Sequence, residues 1–226
     1  MANKPDEVVV PTGGPGLEPD VSVEDRRERL FAATVELVAK RGYRDSSLAH
    51  IIETAQVGRA SFDEIYESKE DCFLAAFDRI VAESIDAVAL AVAAENEWPG
   101  EMAAGLGCLL DLIVADPRRA RIALVEVQAA GPLAYARYKE TVDRAAPKLR
   151  EGREFSKEAS ALPGTLEEAI LGGIIWIVHQ RLAKGELEDP DSLLEGTIKI
   201  ALSPYLGDDE AKRLATATLQ DRSRAS

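Results

Sequence analysis

Apolar side chains recur at helical spacing from Leu30 through Ala33, Leu37 and Val38, with Thr34 in line, until Gly42 stops the run. Ser22, three residues before Asp25, is the capping signal that opens this first helix. Asp45, Ser46 and Ser47 offer N-caps to a short second helix, Leu48 to Ala55, whose buried face is Leu48, Ile51, Ile52 and Ala55. A tight turn, Gln56-Val57-Gly58, leads into a third helical stretch from Arg59 to Ile65. Ser68-Lys69-Glu70-Asp71 then caps a long helix through Phe73, Phe77, Ile80, Ile85 and Val88. Two short helices joined by a three-residue turn predict a helix-turn-helix.

The pattern stays helical to the end of the chain. Asn96 to Gly100, Asp116-Pro117 and Gly131-Pro132 are breaks, so helices are expected over about 100–115, 117–130 and 132–158. Pro147 either kinks or splits the last of these. An almost wholly apolar helix follows Thr165 and ends at Gly185, and Asp189 caps another, ended by Pro204 and Gly207. A short terminal helix and a polar tail complete the chain. The expected divisions are a disordered leader over 1–21, a helix-turn-helix unit over 22–68, a second helical domain over 69–220 and a tail over 221–226. The leader rests on Pro11, Pro15 and Pro19 interleaved with Gly13, Gly14 and Gly16, which no packed core can use.

Composition sharpens this in three ways. Aromatics make up only 5% of 226 residues and Ala and Leu abound, which favours an all-α fold over sheets. Cys72, Cys108, His50 and His179 are too few and too scattered for a disulfide framework, a metal site or a catalytic histidine cluster. No metal, cofactor or enzymatic activity is therefore expected: no nucleophile with its base and no Gly-rich phosphate loop can be found. No export signal and no run of 18 apolar residues is visible, so a cytoplasmic protein without membrane partners is expected. The net charge of −13 stands against nonspecific adhesion to nucleic acid.

From Ser46 to Leu74 the chain reads SSLAHIIETAQVGRASFDEIYESKEDCFL. This resembles the tetracycline-repressor (TetR) family of bacterial regulators, through Ser46-Ser47, Ile51-Ile52, Ala55 to Gly58, Ala60-Ser61-Phe62, Tyr66 and Ser68-Lys69-Glu70. The last two apolar helices, ending IALSPYLG, look like the dimerisation end of actinobacterial-type members. The resemblance implies an N-terminal three-helix DNA-binding domain, a long connecting helix and a C-terminal helical domain for ligand binding and dimerisation. Expected partners are double-stranded DNA, an unidentified small-molecule effector and a second copy of the chain.

Within that frame each residue gets a task. Arg59, Ala60 and Ser61 start the recognition helix and are candidates for base reading, because an arginine can bond a guanine bidentately and small neighbours permit close approach. Arg27, Arg44, Ser47, His50 and Lys69 are candidate phosphate contacts. Phe62 and Tyr66 are expected to plug the core of the small domain. The chain departs from the family at Asp63 and Glu64, where carboxylates would face the phosphate backbone. From Arg44 to Glu70 three cations stand against six anions, so affinity is expected to be weak or steeply salt-dependent unless a carboxylate accepts from a cytosine amino group. A same-fold ligand- or protein-binding module that has lost DNA binding is the alternative.

The apolar helix after Thr165 presents Ile170, Gly173, Ile174 and Ile177 on one face, and Ala169, Gly172, Trp176 and His179 on the other. Coverage on both sides predicts an isologous pairing interface, to which Ile198 and Leu202 of the next helix are assigned. Trp98, Met102, Leu106, Tyr135, Trp176 and His179 are candidate liners of an effector pocket.

Overall fold

The computed structural model describes residues 22–155 and 157–225, and the leader expected over 1–21 lies outside them. Among the described residues there is no strand. Helix α1 spans Val23–Arg41, α2 Leu48–Ala55, α3 Arg59–Asp63, α4 Lys69–Ala93, α5 Trp98–Ala115 and α6 Pro117–Leu124. A 3-10 turn, Glu126–Ala129, leads to α7, Pro132–Asp143; α8 is Ala146–Arg150, and a second 3-10 turn, Glu151–Glu154, precedes α9, Lys157–Ser160. The long C-terminal helices are α10 (Leu166–Lys184), α11 (Pro190–Leu206) and α12 (Asp208–Ala225).

Local chemistry sets the ends. The hydroxyls of Ser22 and Ser68 accept the amides of Asp25 and Asp71, each at 3.0 Å, opening α1 and α4. Gln56 closes α2 with φ 53° and ψ 42°, the left-handed region where a side chain other than glycine is strained. Gln56→Gly is therefore expected to stabilise the protein by about 1 kcal/mol, read as a rise in thermal midpoint with an unchanged α-helical circular-dichroism spectrum.

The structure corrects the sequence reading in four places. Helix α3 stops at Asp63, a residue pair short of Ile65. The segment expected as one helix over 132–158 is broken into α7, α8, a 3-10 turn and α9, so Pro147 splits it, standing in the first turn of α8 where its missing N–H costs nothing. Helix α6 yields to the 3-10 turn after Leu124, well before 130. The terminal helix is not short: α12 is 18 residues long and takes up most of the stretch assigned to a tail, and α11 runs through Pro204 to Leu206.

Buried side chains gather into three clusters. Leu30, Ala33 and Leu37 of α1, Ile51 and Ala55 of α2, Val57, Phe62 of α3 and Cys72 of α4 form the core of the N-terminal head. Phe62 is fully buried and packs on Tyr66 with 5.7 Å between ring centroids, as expected for the plug of a small domain. A middle cluster, with Val35, Val38, Tyr43, Phe73, Phe77, Ile122 and Val127, ties α1 and α4 to α6 and the turn after it. The third fills the C-terminal domain around Trp98, Leu149, Leu194, Ile198, Leu202 and Tyr205. Helix α5 is apolar enough over its 18 residues to meet a length-and-hydropathy test for crossing a membrane; it carries Glu101 and Asp111 and packs on α4, α11 and α12.

Candidate nucleic-acid interface

The head presents α3 at its surface. Phe62 anchors the helix inward while Arg59 and Ala60 are exposed and Ser61 is half-buried, so the first turn offers two small side chains and one long cation. Gly58 stands at the N-cap with no side chain to obstruct an approaching surface. A short helix with small residues at its exposed start has dimensions that a major groove can accept.

The two carboxylates that set this chain apart are both paired. Arg59 Nε donates to Asp63 Oδ1 at 3.0 Å and to Oδ2 at 2.9 Å, one helical turn on. Arg26 of α1, itself mostly buried, donates to Glu64 Oε2 at 3.1 Å and thereby ties α1 to the end of α3. Each of the two carboxylates therefore has an arginine partner within the head, Asp63 at the open surface and Glu64 against α1.

The phosphate candidates separate. Arg27 and Arg44 are exposed. Ser47 and His50 form a reciprocal cap on α2: the Ser47 hydroxyl accepts the His50 amide at 3.2 Å, and His50 Nδ1 accepts the Ser47 amide at 3.4 Å. An accepting Nδ1 puts the proton of the neutral ring on Nε2, a donor of the kind phosphate oxygens need. Lys69 is the exception. Its ammonium donates to the carbonyls of Tyr43 and Ser46, both at 3.0 Å, and lies 3.9 Å from the Tyr43 ring centre. Desolvation lowers its pKa, and with those bonds made it braces the α1–α2 loop from below rather than reaching for a phosphate.

The same loop is held from above. Glu126, buried in the turn after α6, accepts the Tyr43 amide at 2.9 Å and pairs with Arg121 at 3.0 Å. Gly42, at φ +85°, lets the backbone pass within 3.4 Å of that carboxylate, measured from where a Cβ would stand. Arg79 of α4 forms a second link between head and body, bonding Glu28 at 2.5 Å and Glu83 at 2.9 Å over the Phe31 ring. Neither Glu126 nor Arg79 was singled out from sequence, although a lone charge inside the apolar run IALVEVQAA is a visible signal.

The pocket candidates do not converge. Trp98 is core: its indole N–H donates to the Lys148 carbonyl at 2.7 Å, and its ring packs on Tyr205 and Phe155. Met102 and Leu106 are partly buried against that cluster, and His179 is half-buried on α10. Tyr135 and Trp176 face outward, 52% and 63% exposed. The segment after α7 closes over Trp98 so tightly that a Cβ on Gly152 would lie 2.7 Å from Trp98 Cζ2 and 2.8 Å from Tyr205 Cγ. Beside this packing lies an ion pair that sequence reasoning missed. Glu167, fully buried at the start of α10, accepts Arg153 at 2.7 and 3.0 Å and the Tyr205 hydroxyl at 3.0 Å. Arg153 holds the carboxyl down at about 2, while burial raises the tyrosine.

The pairing candidates need correction too. Ile198 and Leu202 are fully buried within the protomer and Ile170 nearly so, because the long α12 packs along α11 and buries Ala211 and Ala215 in the same cluster. Ile174 and Ile177 are half-buried. The outward face of α10 is instead Ala169, Gly172, Gly173 and Trp176, and on α11 Ile200 is 41% exposed. A Cβ at Gly172, Gly173 or Gly196 would meet nothing within 4 Å.

Comparison with known proteins agrees with this geometry. Residues 30–76 match the family model for bacterial regulatory proteins of the tetR family. The match is confined to the head, and the chain as a whole shares its fold with solved tetR-family regulators. A TetR family transcription regulator from Marinobacter aquaeolei VT8 is 22% identical, with a TM-score of 0.63 over 80% of this chain and 95% of that one. The fatty acid degradation regulator FadR from Bacillus halodurans gives 17% and 0.69 over 78% and 94%. FadR from Bacillus subtilis, solved in complex with stearoyl-CoA, gives 16% and 0.64 over 80% and 98%. No curated protein matches the chain. The family match runs from the middle of α1 through α3 to the start of α4, and the fold likeness extends to the helices beyond.

Proposed function

We propose that this protein is a ligand-responsive transcription regulator, a repressor that grips a palindromic operator as a dimer and lets go when a small molecule binds its C-terminal domain. The observation that carries the reading is the exposed front of α3, with Arg59 and Ala60 outward, Ser61 half-exposed beside them and Phe62 locked beneath. Arg27, Arg44, Ser47 and His50 are the phosphate contacts in this reading. Pairing runs through the outward face of α10 and α11, where Gly172, Gly173 and Gly196 allow close backbone approach around Trp176 and Ile200. Two heads so joined present recognition helices to half-sites about 34 Å apart, or a multiple of it. The effector enters the C-terminal domain and shifts the population of head spacings. The stearoyl-CoA in the Bacillus subtilis relative supports a sizeable, partly apolar effector class. A ligand- or protein-binding module without DNA affinity is the second reading, favoured by the −13 charge and weakened by the internal pairing of Asp63 and Glu64.

Gel-shift titration of genomic fragments at low salt tests this. Specific retardation is expected, with Arg59→Ala weakening it by about 1–3 kcal/mol and Trp176→Glu converting dimer to monomer on a sizing column. Absence of any specific complex, with Arg59→Ala indistinguishable from the parent, would retire the regulator reading.

A further inference from the structure

Arg59 bonds Asp63 through Nε alone: both carboxylate oxygens meet that one nitrogen, at 3.0 and 2.9 Å, and the terminal amino groups take no part. A guanidinium held by its Nε has its two terminal nitrogens aimed away from the holding group, side by side, as a donor fork. That fork matches the O6 and N7 acceptors on the major-groove edge of guanine. Ala60, next to it, adds no bulk, and both members of the pair lie on the open surface, 63% and 48% exposed at their side chains. We infer that Asp63 is a positioning residue for base recognition, holding Arg59 end-on so that the protein reads a guanine in each half-site. This rests on the DNA-binding reading above.

In water an exposed pair one turn apart is only a bias on a flexible side chain. Inside a groove, with water displaced, the same pair strengthens, and the arginine enters with fewer rotamers to lose. The carboxylate has an opposite effect on phosphates, which it repels wherever the sequence offers no guanine. Asp63 thus lowers general affinity and raises discrimination, turning the acidic departure at this position into a specificity device.

The full-length chain, offered a pool of random duplexes through repeated rounds of selection, is expected to recover half-sites with a fixed guanine. Exchange of that guanine for adenine, or for 7-deazaguanine, which lacks the N7 acceptor, should weaken binding by roughly 10- to 100-fold. Asp63→Ala should cut this discrimination to a few-fold while tightening binding to a scrambled duplex several-fold. Asp63→Asn, which loses the charge and keeps an acceptor oxygen for Nε, should gain the same general affinity yet keep most of the discrimination. Unaltered circular dichroism confirms folding of both variants. If Asp63→Ala tightens selected and scrambled duplexes equally and still prefers guanine, Asp63 is only a repulsive surface charge and the inference is overturned. If no sequence is enriched at all, the DNA-binding reading falls and takes this one with it.

Discussion

Arg153→Met is expected to destabilise the protein by about 3–5 kcal/mol at pH 7, because it strands a carboxylate that has no access to water. Glu167 is fully buried, and Arg153 supplies two of its bonds, at 2.7 and 3.0 Å, leaving the Tyr205 hydroxyl at 3.0 Å and the exposed Arg150 at 3.7 Å. Arg153 also donates to the carbonyls of Leu162 and Pro163, so it fastens the approach to α10 as well as its first turn. Removing both charges, as in Arg153→Met with Glu167→Gln, should cost far less than removing the arginine alone.

The dependence on pH distinguishes these variants by sign. In the folded parent Glu167 titrates at about 2, below its ordinary value of 4.5. The stability it contributes is complete above 4.5 and is lost as pH falls from there towards 2. In Arg153→Met the carboxyl loses the partner that holds it down and titrates higher than in the parent, so the gap between variant and parent is largest at neutral pH and shrinks as acid protonates the group. Chemical denaturation of the parent and both variants between neutral pH and pH 3 reads the difference. A single variant within about 1 kcal/mol of the parent at pH 7 would show that Arg150 or water already satisfies Glu167.

How far this molecule could be read from its sequence follows from the range of the interactions concerned. The head was legible to the residue for α2, Leu48–Ala55, because its cap, its apolar stripe and its turn all lie within ten neighbours. The task of Lys69 was not, since the loop carbonyls that claim it belong to Tyr43 and Ser46, 26 and 23 positions away. Asp63 looks repulsive in a bare count of charges, although its spacing of four from Arg59 already puts the two on one helix face. Glu64 was harder still, its partner Arg26 being 38 residues distant on another helix. In the C-terminal half the same limit governs Ile198 and Leu202. The sequence pattern puts both on an apolar helix without naming what covers them, and the length of α12 decides that they turn inward rather than to a second copy.

Glu126→Ala is expected to loosen the joint between head and body without unfolding either. The substitution leaves the Tyr43 amide and the Arg121 guanidinium without the carboxylate that now meets them at 2.9 and 3.0 Å, at a cost of about 1–3 kcal/mol. That cost falls on one short loop, residues 42–47, which carries Arg44 and ends at the cap of α2. Lys69 still holds the loop from α4, so opening is local, and amide exchange at Tyr43 should accelerate by about 10- to 100-fold while the amides of α1 keep their protection. Glu126→Gln keeps an acceptor for the Tyr43 amide and should restore most of the protection. In the regulator reading this joint is the route by which a change around α6 reaches the head, since α6 also carries Arg119, whose guanidinium pairs with Glu83 of α4. The pairs of Arg79 and Arg119 contribute little under salt, which leaves the buried Glu126 as the firm polar link beside the apolar middle cluster. Hence Glu126→Ala should weaken operator binding by about tenfold through the freedom it gives the heads, and blunt the response to any effector. Unchanged exchange at Tyr43 would refute the joint at its first step, before any DNA is added.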